Sequence, residues 1–161
     1  MSVSETKFSV TAAVCIVAFT FDGIKDKADQ PYLYHLLRVG MRGKTENERV
    51  LGFLHDFKED FHKFPKDLFI SNTIEGAVKE LEEEFGEEII IALHAISRNE
   101  GEDYSRFIER CALNPLAKQV KIYDLEDNMD LTRLPDVIRY TIESEKRQLK
   151  YAQSLAYLKC S

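Results

Sequence analysis

The chain has no tryptophan and only three cysteines among its 161 residues. Cys15, Cys111 and Cys160 are odd in number and far apart, with no Cys-x-x-Cys pair, which argues against a disulfide framework and against a thiolate zinc site. A reducing cytoplasm suits such thiols. Four prolines and seven glycines form no linker, and no repeat or low-complexity tract divides the sequence, so residues 1–161 are expected to make a single domain. Basic excess is missing as well. A net charge of -6 gives no general attraction to a nucleic-acid backbone, although a bound divalent cation reverses the local sign and leaves room for a small nucleotide substrate. The apolar stretch from Val10 to Phe21 is too short to cross a bilayer. Glu5 before it and Phe21-Asp22-Gly23 after it do not suit a cleaved leader, so it reads as a buried first element and no membrane partner is expected.

What is present is mostly helical in pattern. The β-branched residues of the first run favour a strand locally, but the helical spacing of everything downstream favours a core helix ending at Gly23. Lys25 to Gln30 is a polar loop. Pro31 suits the first turn of a short helix through about Val39. Thr45-Glu46-Asn47-Glu48 has the form of a capping box and should start a helix that runs to about Asp60. Residues 61–72, with Pro65 and mixed aromatic and basic side chains, are loop-like, a candidate flap beside the preceding acids. Helices are then expected from Thr73 to Gly86, over Ile89–Ile96, from Asp103 to about Ala112 and over Val120–Leu125, with a last long helix from Pro135 toward Leu158. The sum is an all-α domain of about seven or eight helices.

Chemistry-bearing residues gather in two short runs. In Leu54-His55-Asp56-Phe57-Lys58-Glu59-Asp60 an imidazole and a carboxylate are adjacent, and helical neighbours diverge by about 100°, so both reach one ion only at a helix edge. Glu59 lies four residues after His55 and three after Asp56, where a carboxylate can orient water or take its proton. In Tyr123-Asp124-Leu125-Glu126-Asp127-Asn128, Asp124 and Asn128 form an i, i+4 pair on a helix with apolar flanks, and a buried carboxylate needs a partner. Each feature alone also has a plain structural reading: a solvated helix end, a salt bridge or, for His35, a packed core histidine. Mixed imidazole and carboxylate donors suit a borderline or hard divalent ion.

Taken in order, several runs resemble the HD-domain metal-dependent phosphohydrolases, and within them the hydrolase domain of the RelA/SpoT alarmone enzymes and their small stand-alone relatives. The supporting runs are Asp26-Lys27-Ala28-Asp29-Gln30-Pro31-Tyr32, His35 with Arg38-Val39, Leu54-His55-Asp56 with Glu59-Asp60, Glu100-Gly101-Glu102-Asp103-Tyr104, and Val120 to Met129. The resemblance implies an all-helical HD-domain bundle in which His35, His55, Asp56 and Asp124 bind one Mn²⁺ or another divalent ion. It also implies that Glu59 and Asp60 position or activate the attacking water, with Lys27, Arg38 and Asn128 near the substrate. Arg38 could equally be a structural ion-pair partner. The implied activity is hydrolysis of a nucleotide, most specifically removal of the 3′-pyrophosphate of (p)ppGpp, the alarmone of the stringent response. The alternatives are another nucleotide or phosphomonoester as substrate, or a non-catalytic nucleotide-binding module. Asp26 stands where the family commonly has arginine, and Leu125-Glu126-Asp127-Asn128-Met129-Asp130 replaces a more basic run, so a pocket with fewer cations is expected. No oligomeric state follows from these features.

Overall fold

A computed structural model describes residues 10–161, and Glu5 lies outside the described residues. The element order is α1 Val10–Thr20, α2 Leu33–Met41, α3 Glu46–Leu54, α4 Phe57–Asp60, α5 Ile74–Phe85, α6 Glu87–Ile96, α7 Tyr104–Ala112, α8 Pro115–Met129, α9 Asp136–Arg139 and α10 Ile142–Cys160. Short 3-10 turns cover Phe61–Lys63 and Leu131–Arg133. Among the described residues there is no strand, only an isolated antiparallel bridge between Lys25 and Pro31. Apart from the single turns α4 and α9, the described residues form eight helices, in line with the all-α expectation.

Local chemistry sets most boundaries. The Thr45 hydroxyl accepts the Glu48 N–H at 3.2 Å, and Glu48 reaches back to the Lys44 N–H at 2.7 Å, a capping box displaced by one residue on its return arm. Thr73, Asp103, Asn114 and Thr141 cap α5, α7, α8 and α10 through side-chain oxygens. Pro115 takes the first position of α8, where its missing N–H costs nothing. Gly86, with φ 84°, turns α5 into α6, a conformation that favours glycine. Two expected spans are corrected. Pro135 starts only the single turn α9, because Thr141 caps a fresh start and the long helix begins at Ile142. The helix from Thr45 stops at Leu54 rather than at Asp60.

α8 forms the centre of the bundle, packing against α2, α3, α6, α7 and α10, with Ala117, Val120 and Leu125 fully buried. The first element is helical, and Ala13 and Val17 bury against the core. Residues 61–72 lie beside the acids at Lys63, which bonds Asp60 at 2.6 Å, and are held by their rings. Phe61, Phe64 and Phe69 pack around Phe57, at ring separations of 6.1, 5.2 and 5.4 Å, and Phe64 meets Phe21 edge-on at 4.8 Å. Burying those rings anchors the segment behind α4. Among the described residues no helix is long and apolar enough to cross a membrane.

The tightest packing lies between α2 and α3. A Cβ on Gly52 would come 2.7 Å from the Gly40 Cα, and a Cβ on Gly40 would run into the Phe53 ring, so these backbones meet where only glycine fits. Gly52→Ala should therefore cost about 1–3 kcal/mol through overpacking, read from the urea midpoint of the metal-free protein. A second prediction concerns thiols. Burial pushes the Cys111 thiol up to about 11, whereas Cys15 and Cys160 are exposed, so iodoacetamide at pH 8 should label those two and spare Cys111 until the protein is unfolded.

Candidate metal centre

Three elements meet at the floor of a cavity of about 520 Å³. α2 contributes His35, the break between α3 and α4 contributes His55 and Asp56, and α8 contributes Asp124. The break explains how two consecutive residues reach one point. Asp56 has φ -93° and ψ 1°, in the sparsely populated bridge region where active-site residues often sit, so the divergence imposed by a continuous helix does not apply.

His35, His55 and Asp56 each bring one ligand atom within 4.8 Å of the others. The two Nε2 atoms are 3.2 Å apart. Asp56 Oδ2 lies 3.1 Å from His55 Nε2 and 3.7 Å from His35 Nε2. Asp124 Oδ1 lies 3.1 and 3.5 Å from His35 and His55 Nε2. Donors held about 2.1 Å from a common ion are roughly 3.0–3.5 Å from one another, so the spacing of His35, His55 and Asp56 fits a divalent cation. The tautomers support the fit. His35 Nδ1 lies 2.7 Å from Asp127 Oδ2 and His55 Nδ1 lies 2.7 Å from the Gly52 carbonyl. Both partners are pure acceptors, so each Nδ1 carries a hydrogen, and the Nε2 of each ring faces the carboxylates and the other imidazole.

The surrounding groups hold the carboxylates. The Tyr32 hydroxyl donates to Asp56 Oδ2 at 2.6 Å. The Asn128 amide donates to Asp124 Oδ1 at 2.6 Å, and the buried Lys121 ammonium donates to Asp124 Oδ2 at 2.7 Å. Burial alone would raise Asp124, but Lys121 and the two histidines overturn this and hold it well below the usual carboxylate range. Burial opposes charge on His35 and His55 too, and the neighbouring carboxylates outweigh it, raising both. The cluster is thus an electrostatic sink for positive charge, whether protons or a metal.

Glu59 lines the cavity. Its Oε1 accepts the Arg98 backbone N–H at 2.8 Å, and burial raises its carboxyl above the ordinary value. Asp60 is not on the wall; it accepts from Lys63 at 2.6 Å, and Lys63 is the residue that reaches the cavity. Lys27 and Asn128 line the wall as expected. Arg38, expected beside the substrate, is not on the wall. Its guanidinium turns behind His35 to Asp127, at 2.7 and 3.1 Å.

Asp26 and Asp130, from the two runs expected to be less basic, line the cavity, and so do several cations. Arg98, Lys121, Arg147 and Lys150 join Lys27 on the wall. The acidic run after Asp124 mostly faces elsewhere: Asp127 is turned to His35 and two arginines, and Glu126 pairs with Arg42 and Lys159 outside. Asp26 does not invade the pocket with free charge, because its Oδ1 accepts the Ala28 and Gln30 N–H groups and so shapes the Lys27 loop. Sequence reading gave no role to Tyr32, Lys121 or Asp127. All three stand three residues from a candidate ligand, on the same side of its helix, and that spacing was the available signal. No such signal announces Arg147 and Lys150, which arrive from a distant helix.

The architecture is all-helical. The chain shares it with a solved structure of a metazoan ortholog of SpoT, described as hydrolysing ppGpp and playing a role in starvation responses. The TM-score is 0.68 over 98% of this chain and 88% of that chain, at 18% sequence identity. No protein-family model and no curated protein matches the sequence.

A metal ion that binds this cluster should stabilise the fold by mass action. Mn²⁺ at a hundredfold over its dissociation constant should add about 2.7 kcal/mol, raising the melting temperature by roughly 5–10 °C, with reversal by EDTA and no shift in Asp56→Ala. Lys121→Met should destabilise the metal-free protein by on the order of 3 kcal/mol, since it strands a buried carboxylate; urea unfolding in EDTA measures this.

Proposed function

We propose that the chain is a divalent-metal-dependent phosphohydrolase of a nucleotide, and that its specific reaction is removal of the 3′-pyrophosphate of (p)ppGpp. The observation that carries this reading is the grouping of ligand atoms of His35, His55 and Asp56 within 4.8 Å of one another, with Asp124 Oδ1 3.1 Å from His35 Nε2, beside a cation-lined cavity. The likeness in fold to a protein described as hydrolysing ppGpp supports the choice of substrate. Three unpaired cysteines suit a cytoplasmic enzyme working as a single domain.

His35, His55, Asp56 and Asp124 would hold Mn²⁺ or another divalent ion. Once bound, such an ion supplies Lewis acidity toward the phosphoryl group and makes water more acidic. The chain's own residues do the rest. Glu59 keeps one oxygen on the Arg98 N–H and offers the other to the attacking water, and a carboxyl raised by burial is the better base near neutrality. Water attacks the phosphorus attached to O3′, and its proton passes to Glu59. The P–O3′ bond breaks, pyrophosphate leaves and O3′ takes up a proton. Asp60 acts through Lys63, holding that ammonium at the rim.

Phosphate binding falls to Lys27, Arg147 and Lys150. None of the three has a carboxylate partner among the described residues, and the Lys27 ammonium is depressed by burial and then by the charges of Arg147 and Lys150. Such mutual repulsion is relieved by a polyanion. Asn128 keeps Asp124 in register and shows its amide to the cavity. Arg38, engaged by Asp127, supports the site from behind.

A product assay in Mn²⁺ across ppGpp, GTP, deoxynucleotides and monophosphates tests the reading. Pyrophosphate should be released from ppGpp, with His55→Ala inactive and Glu59→Gln slowed by about 10²–10⁴-fold. Hydrolysis of monophosphates alone would remove the alarmone while keeping a metal-dependent hydrolase.

A further inference from the structure

Asp127 is the most heavily committed carboxylate near the cluster that is not one of its four donors. Its side chain is 3% exposed. It accepts the His35 Nδ1–H at 2.7 Å, two bonds from the Arg38 guanidinium at 2.7 and 3.1 Å, and one from Arg133 at 3.1 Å. Arg133 also donates to the Asp127 backbone carbonyl at 2.8 Å. The carboxylate is therefore fixed from both sides, with both oxygens engaged. Position 127 lies one helical turn beyond Asp124 on α8, so one rigid helix carries both a candidate ligand and the group that orients another.

We propose that Asp127 is the positioning residue of the metal site: it holds His35 in the Nδ1–H tautomer with its Nε2 lone pair aimed at the point shared with His55, Asp56 and Asp124, while Arg38 and Arg133 lock the carboxylate in place. The inference rests on the reading of that cluster as a divalent-ion site. His55 gets the same service from a backbone carbonyl, Gly52 O at 2.7 Å, which no substitution deletes. His35 depends on a side chain. An imidazole oriented by a carboxylate is also a stronger donor than one oriented by a neutral carbonyl, so the two histidines are unequal ligands. The role assigned to Arg38 follows: it is a clamp on Asp127.

The test uses the full chain and Mn²⁺ alone. Asp127→Asn should weaken Mn²⁺ binding in calorimetry by about 10–100-fold. Side-chain ¹⁵N spectra of the metal-free protein, recorded at a pH that leaves both rings neutral, should show His35 leaving the Nδ1–H tautomer while His55 stays in it. Asp127→Glu should recover part of the affinity, since it restores the acceptor. If Asp127→Asn fails to fold, Arg38→Gln carries the test, with a smaller loss of roughly threefold expected and the same movement of the His35 signal. Wild-type affinity and an unchanged His35 tautomer in these variants would overturn the proposal and leave the metal site standing. A wild-type chain that binds no Mn²⁺ would overturn the metal reading, and this inference with it.

Discussion

A methyl group added at Gly52 would sit 2.7 Å from the Gly40 backbone, and the geometry of the site depends on the contact that this absence of side chains permits. His35 precedes Gly40 by little more than one turn, and His55 follows Gly52 by less than one. The separation of the two helices at the glycines therefore fixes the separation of the two imidazoles. With larger residues the helices would stand apart and the 3.2 Å approach of the Nε2 atoms would open. Phe53 and Leu51, fully or almost fully buried, then hold the pair from the core side.

That closeness has an electrostatic consequence. Two carboxylates and two imidazoles share a space with little water, and each carboxylate must be answered. Asp56 receives the Tyr32 hydroxyl, and Asp124 receives Lys121 and Asn128. These bonds fix the carboxylates, and Asp56 Oδ2 and Asp124 Oδ1, which accept the Tyr32 and Asn128 bonds, are also the oxygens that face the imidazoles. The surrounding cations on the cavity wall define what approaches the cluster.

Much of this was legible in the sequence, for reasons that differ by residue. Thr45, Thr73 and Asp103 are caps because a short side-chain oxygen meets an exposed N–H locally, and local chemistry can be read from a string. His35, His55, Asp56 and Asp124 were legible because their residue types are uncommon on apolar helices and fall in a familiar order. The break at His55-Asp56 was not legible, since Leu54 to Asp60 keeps a helical pattern and the interruption arises from packing Phe57 among Phe61, Phe64 and Phe69. The acidic run after Asp124 misled for a related reason: composition gives charge but not direction. Glu126 and Asp127 are adjacent, yet one faces Arg42 and Lys159 on the surface and the other faces His35.

The interruption between α3 and α4 also sets what lengths of chain the fold tolerates. His55 and Asp56 span it with no spare residue, so one inserted or deleted position would rotate one ligand away from the other by the angular step of a helix. Residues 65–72 are held by rings rather than by register. Variation in length among sequences that keep this site should accumulate there and vanish at the break, a pattern of gaps that separates the mechanical frame of the site from its surface covering.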